Sequence, residues 1–592
     1  MRTPVMPFRS AVPVAAWTVA ASILLCAGAA HAQPAPAPTA VTYMAQNWSA
    51  TDRETFYTTS QGSHLIRAAW FKALRRLDVD QPFAADQLAR YGYLRNDSPN
   101  NRDGLPVGFV VETRSGQLGM TCAACHTGQL EYSKDGVNHV WRIDGAPASA
   151  DFQQFLHDLV AAARATLSQS DRFDAFAKAV LGRGYSAANA ASLKAEFGEW
   201  LDGFGTFMDA SLPPSPWGTG RLDAFGMIFN RVAGLDLNIA GNIKFADAPV
   251  SYPFLWNASR QDRTQWNGAV KNGLLINGLG RNAGEVLGVF ADFKPISILR
   301  RFGLVPPTIL YNDNSVDLTG LEKLEEEIVK LQPPPWQTQI FGLNDQLVKK
   351  GEALFDQNCA HQCHEEIKSS DIVGLVGAWA TPVQPVKTDP KMANNAGRIS
   401  ASGIYEGAPL PRPAIPPTFS QSAAIVDVLG NSVVQILIAG VAQAGAQRAV
   451  LTDLSRLQPG ATKPLDTIPV VINFINTQLT DLIDPPKPGP AAYEARVLHG
   501  IWATAPYLHN GSVPSLWELL KPAKDRVTTF NVGCRRFDPK NVGFVSDDPS
   551  CKTGTFTVDP NNANGNGNGG HEYGTDLSED DRWAIVEYLK KY

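Results

Sequence analysis

The string Cys122-Ala123-Ala124-Cys125-His126 constrains this 592-residue chain more than any other feature. Two thiols three residues apart, followed at once by an imidazole, form the attachment signature of c-type haem. The thiols add across two vinyl groups of the porphyrin, and the histidine reaches the iron as proximal ligand. A redox dithiol and a disulfide are the competing readings of the same pair.

A second string, Cys359-Ala360-His361-Gln362-Cys363-His364, has three residues between its cysteines instead of two. Both thiols still reach one porphyrin if the intervening loop bulges. Leu347, Gly351, Leu354 and Phe355 recur at helical spacing just before it, behind Asn344 as N-cap, which predicts the lead-in helix of a cytochrome c domain. Its competing reading is a disulfide with free histidines, and His361 is expected to be exposed. Cys534 and Cys551 form a third near pair with no histidine after it. A disulfide there would close a Gly/Asn/Asp/Pro-rich loop and stabilise by roughly 3 kcal/mol.

The N-terminus reads as an export signal over residues 1–32. Arg2 and Arg9 precede an uncharged stretch from Ala11 to Ala30, and Ala30-His31-Ala32 has the small-x-small form of a cleavage site. An uncleaved anchor is the alternative, since twenty apolar residues can span a bilayer. Cleavage predicts a periplasmic or secreted protein with no membrane span, in an oxidising compartment. It also removes two arginines and no acid, moving the net charge from −5 to −7, a balance that argues against nucleic acid as a partner.

A Pro/Ala linker over 33–50 leads into helix candidates at Leu65–Leu77, Asp151–Leu167, Ala190–Met208, Leu222–Val232 and Leu318–Leu331. Pro333-Pro334-Pro335 is the clearest break, and the domain boundary is placed there: 51–335 for an N-terminal haem domain, 336–592 for a C-terminal one. The second half offers helices at Asp345–Gln357 and Ala423–Val441, and a last one from Ser578, with Asp581 as capping-box partner, to Lys591. Strand signals are few and short. The expected fold class is mainly α with extensive loops, two cytochrome c-like haem domains in one chain. For the second haem's distal ligand the residues alone leave Met392, His499, His509 and His571 open.

Several strings resemble the di-haem cytochrome c peroxidase superfamily, which includes methylamine-dehydrogenase-maturing enzymes and rubber oxygenases. They are Gln61-Gly62-Ser63 before Trp70-Phe71, Leu105-Pro106-Val107-Gly108-Phe109, Thr121 to Gly128, and Arg142-Ile143-Asp144-Gly145. Further along come Gln265-Trp266-Asn267-Gly268 with Gly284-Glu285, Gly500 to Ser512, and Gly570-His571-Glu572-Tyr573-Gly574. The resemblance implies a reactive haem on Cys122, Cys125 and His126, and an electron-relay haem on Cys359, Cys363 and His364. It favours His571 as the relay's distal ligand, because His509 falls in a segment that lies near that haem without ligating it. It implies that Trp266 bridges the haems and that Glu285 is the distal acid/base. Arg281, one turn before Glu285, is the candidate to hold its charge or polarise peroxide. Thr504 and Pro506 match positions whose carbonyls bind Ca²⁺ in peroxidases. His139 matches the region of a blocking ligand in some relatives only loosely.

The activity expected from this resemblance is reduction of hydrogen peroxide, with electrons from a small periplasmic cytochrome c or cupredoxin. The alternatives are an O₂-dependent oxygenase cleaving an apolar, polyisoprene-like substrate, a protein-modifying oxidase, and a plain electron-transfer cytochrome. The superfamily scaffold does not choose among them.

Overall fold

Phe71, Phe83, Tyr91, Tyr93, Phe109 and Phe155 are spread over 85 residues of chain, yet they converge. In the computed structural model, Tyr93 and Phe109 meet edge-to-face at 4.9 Å, and Phe109 meets Phe155 at 5.8 Å. Each fully buried phenylalanine contributes about 1.5–3 kcal/mol, so this aromatic cluster is an anchor for the first half of the chain. The structure describes residues 40–297, 310–366, 379–411, 417–440, 448–453, 482–483, 489–547 and 554–592. The export signal, linker residues 33–39 and Cys551 lie outside them. Val41–Tyr592 forms one compact unit.

The first helix, α1, spans Ala50–Thr58, with a capping box between Ser49 and Asp52. A hairpin follows the first cysteine string: β1, Thr127–Lys134, pairs antiparallel with β2, Val137–Asp144, from Thr127 opposite Asp144 to Lys134 opposite Val137. Asp135 and Gly136, both at positive φ, make its two-residue turn. These eight-residue strands exceed the short strands the sequence suggests. The expected helix over 151–167 runs as α2, Phe152–Ser168, and the one over 190–208 as α3, Ala187–Ser211. The candidate over 65–77 shrinks to Ala68–Ala73.

The helix that carries Glu285, α4, spans Leu275–Gly288. Next come α5, Leu318–Lys330, and α6, Asp345–Phe355, the latter capped by Asn344. In the second half α7 covers Ile425–Ala439 and α8 Glu579–Leu589, the latter capped by Ser578. Helices α6 and α8 cross in contact because residue 351 is glycine: a Cβ there would run into the backbone carbonyl of Ala584. Phe355 packs on Tyr588 at 5.4 Å, and Lys350 pairs with Asp581 at 2.7 Å on the rim.

One apolar cluster belongs wholly to residues before the proline run; a second draws on both sides of it, with Trp256 and Leu279 from one side and Trp502 and Ile585 from the other. The proline run itself is pinned by Trp502, whose indole donates to the Pro334 carbonyl at 2.9 Å. Among the described residues, no helix is long and apolar enough to cross a membrane.

Candidate functional site

The first string is a 3₁₀ turn over Cys122–Ala124, capped by the Thr121 hydroxyl. At three residues per turn, positions i and i+3 eclipse, so the winding aligns Cys122 and Cys125 along one face. Two of the quoted strings hold it. The Thr121 amide donates to the Gly108 carbonyl at 2.8 Å, and Gly108, at φ +79°, leaves room for the Ala124 backbone that a Cβ would strike. On the other side the Gly145 amide donates to the His126 carbonyl at 3.0 Å. Burial pushes the Cys125 thiol up to about 12 and raises Cys122 as well. A reactive dithiol needs the opposite shift, and all four cysteines of the two strings are free.

His126 is set up as a metal ligand. Its Nδ1 lies 2.8 Å from the Pro253 carbonyl, which can only accept, so Nδ1 carries the proton and Nε2 keeps its lone pair. Burial lowers its pKa to about 4, so the ring is neutral near pH 7.

Glu285 sits in the last turn of α4 and is not an N-terminal cap. Its carboxylate is close enough to both Cys122 and Cys125 to raise their pKa values. Gln265 donates to its Oε1 at 2.7 Å, and Arg281 Nε lies 3.9 Å from the same oxygen. The side chain keeps 42% of its surface accessible, yet desolvation is the largest influence on its pKa, which is raised. The carboxylate is thus partly exposed and still desolvated enough to favour its protonated form. Arg281 itself is half-buried and paired to Glu325, with Asn272 accepting from its Nη1 at 3.0 Å. His139 lies elsewhere, stacked on Trp141 near the tip of the β1–β2 hairpin.

The second string winds differently. Asp356–His364 is π-helical and continues directly from α6. A π-turn absorbs an inserted residue, which is how the three-residue spacing keeps Cys359 and Cys363 on one face. His364 Nδ1 lies 2.6 Å from the Arg496 carbonyl, again leaving Nε2 with the lone pair. Across from it is His571, the two ring centroids 6.3 Å apart. Two imidazoles sharing one metal at about 2.0–2.1 Å from each ligating nitrogen require a separation of about 6 Å. His571 Nδ1 is buried without a hydrogen-bond partner, and burial lowers the ring's pKa to about 3.

The loop that carries His571 is tied from several sides. Gly570, at positive φ, packs where a Cβ would meet the Lys387 carbonyl. The His571 amide donates to the Val386 carbonyl at 2.8 Å. Arg526 donates to the carbonyls of Asn568, Gly570 and His571 at 2.7, 2.9 and 3.2 Å, and Asn510 to those of Gly565 and Gly567.

The other candidates are engaged elsewhere. His499 Nε2 pairs with Glu366 at 2.9 Å, and His509 stacks on Tyr493 at 3.9 Å. Met392 is buried in the core. His361 is exposed beside Asp356 and Glu365. Thr504 donates through its hydroxyl to the Ile501 carbonyl at 2.9 Å, and Pro506 follows two residues on. Among the described residues no group of three His, Cys, Asp or Glu could hold a metal ion, so a cation at Thr504 and Pro506 would depend on carbonyl oxygens.

Trp266 lies where the supports of the two histidines approach. Its indole donates to the Ser251 carbonyl at 2.7 Å, two residues from Pro253, and the Arg496 guanidinium sits 5.1 Å from its ring centroid. Pro253, Arg496, Glu325 and Arg526 went unrecognised in the sequence. Two of them act through backbone carbonyls and the other two through partners more than forty residues distant, so no local pattern marks them.

Cysteine pairs on single turns, each followed by a half-buried neutral imidazole with a free Nε2, are a donor set that fits covalently attached haem. Comparison with known proteins agrees. Residues 492–531, which include Arg496, match the family described as RoxA-like, cytochrome c-like, a relation to the di-haem cytochrome c proteins that implies haem c binding. The uncharacterized protein y4iJ of Sinorhizobium fredii is 31% identical over 609 aligned residues, covering 93% of each chain. The uncharacterized protein y4iM of the same organism is 50% identical over 60 residues, 10% of this chain and 14% of that one. The chain therefore belongs to the family of y4iJ and carries within it a RoxA-like, cytochrome c-like segment.

Proposed function

We propose that this protein is an exported di-haem oxidoreductase that reduces hydrogen peroxide at the Cys122–His126 site with electrons relayed through the Cys359–His364 site. The haems supply the electron storage and the open coordination position; the chain supplies the ligands, the proton path and the electrostatics. His126 and His364 would hold the irons through Nε2, with His571 as the second ligand at the Cys359–His364 site. The observation that carries the reading is Glu285: a partly exposed carboxylate with raised pKa, held by Gln265 beside the first cysteine pair. With Oε1 held by Gln265, its Oε2 is the atom that takes a proton from one peroxide oxygen and returns it to the other. Each peroxide then consumes two electrons and two protons and leaves as two waters. Arg281, committed to Glu325, keeps a fixed positive charge near that carboxylate.

A second reading rests on the RoxA-like match: an oxygenase that binds O₂ at the first site and cleaves an apolar, polyisoprene-like substrate without an external electron donor. Under the first reading a periplasmic cytochrome c or cupredoxin is the donor, and Ca²⁺ on the Thr504 and Pro506 carbonyls stiffens the junction between two haem domains. Mixing purified holoprotein separately with peroxide and with O₂, and following the Soret band, tests the pair. A rapid change with peroxide that consumes a reduced donor supports peroxide reduction. A stable O₂ complex without added reductant, together with no peroxide-driven donor oxidation, overturns it in favour of the oxygenase.

A further inference from the structure

Arg496 touches the supports of both histidines. Its carbonyl holds His364 Nδ1 at 2.6 Å. Its side chain runs the other way: the guanidinium lies 5.1 Å from the Trp266 ring centroid and 5.4 Å from that of Phe254. Nη1 reaches the Phe254 carbonyl at 3.4 Å, one residue from the Pro253 carbonyl that holds His126. Nε donates to Glu494 Oε2 at 2.9 Å, and the Glu494 amide donates to the Trp266 carbonyl at 2.7 Å. Arginine and glutamate are both buried. A buried ion pair costs several kcal/mol of desolvation per ion, and a hydrophobic pair would fill the same space without that cost. The cation is felt at the first site, where it helps hold the His126 ring neutral.

We propose that Arg496 is a positioning residue joining the two haem sites: its backbone orients His364, while its guanidinium, balanced by Glu494, sets the electrostatics around Trp266 and the His126 haem. This rests on the two-haem reading above. A buried cation favours the iron state that has gained an electron, so Arg496 draws electrons toward the first site, and Glu494 limits that pull. No bond is made or broken and no proton leaves either residue.

The experiment is a spectroelectrochemical titration of both haems in the full-length holoprotein, for wild type, Arg496→Gln, Arg496→Lys and Glu494→Gln. Arg496→Gln is expected to lower the potential of the His126 haem, shifting its reduced-to-oxidised ratio about tenfold at fixed applied potential. Glu494→Gln is expected to move it the opposite way by a smaller factor, and Arg496→Lys, which keeps the charge, to stay near wild type. Opposite signs are the signature of an electrostatic role, since mere loosening of the packing has no reason to reverse between the two. Shifts in the same direction, or none, would overturn the proposal. If Arg496→Gln does not fold, Glu494→Gln decides: a raised potential of the His126 haem, with Arg496→Lys near wild type, supports the proposal, and a lowered or unchanged potential in Glu494→Gln overturns it. A pyridine haemochrome count on wild type stands apart: one haem per chain would sink the two-haem reading itself.

Discussion

The two cysteine strings solve one problem with opposite windings, and their surroundings diverge accordingly. At Cys122–His126 a tight 3₁₀ turn is clamped by Gly108 and Gly145, and the charged group nearby is the Glu285 carboxylate. At Cys359–His364 a wide π-turn runs on from α6, and the group opposite is a second imidazole, His571, held by Arg526. A metal held there by His364 and His571 would be suited to passing electrons. At the first site His126 would hold a metal beside Glu285, which would serve as a base to move the protons of a bound small molecule. What differs between the sites is the neighbouring group, a carboxylate beside the first cysteine pair and an imidazole facing the second histidine.

The largest expected effect breaks the comparison at the carboxylate. Glu285→Gln should cut peroxide-driven oxidation of a reduced donor by about 10²-fold or more, measured by stopped flow. Because the folded protein raises the pKa of Glu285, with desolvation the main cause, the acidic limb of the wild-type profile should lie above the ordinary glutamate range. Activity falls as pH drops through that raised value and the base is protonated, and the limb should vanish in the Gln variant. The stability contribution has its own sign: a raised carboxyl pKa favours the folded state at low pH, an advantage lost as pH rises from the unfolded to the folded value. An unchanged rate would remove Glu285 from the mechanism.

The next test makes the two sites alike. His571→Ala should convert the second haem from low to high spin, read by electron paramagnetic resonance and the visible spectrum, while the first keeps its signal. An unaltered spectrum would return the choice to His509 or Met392. The smallest effects probe the two backings. Gly108→Ala and Gly351→Ala each place a Cβ against backbone, Gly108 onto Ala124 and Gly351 onto Ala584. Each should cost about 1–3 kcal/mol, with Gly108→Ala the larger because its positive φ adds roughly another 1 kcal/mol. Thermal unfolding of holoprotein measures both, and equal shifts would argue that the two clamps are equally strained.

Legibility followed the range of the interaction. Helices α6 and α8 were readable because Asn344 and Ser578 cap them and their periodicity is local. The β1–β2 hairpin went unread although Asp135-Gly136 is a hairpin turn signal, since its strands lack strict alternation. Helix α1 was passed over despite its Ser49/Asp52 capping box. Helix α4 was missed as an element although Glu285 on it was singled out, because its four glycines weaken any propensity argument.

The amino-acid sequence by itself determined which atoms can bond: four thiols, the histidines that follow them, and a Gly-rich loop able to bring His571 close. Covalent chemistry is local, so it is written in adjacent residues. Only the tertiary structure decided which histidine faces His364, which carbonyls hold each imidazole's Nδ1, and that Arg496 touches both supports. Those pairings join residues more than a hundred positions apart, as Pro253 is from His126 and Arg496 from His364. They exist because burying the apolar clusters brings the segments together, and a backbone carbonyl, identical in every residue type, leaves no mark in the sequence.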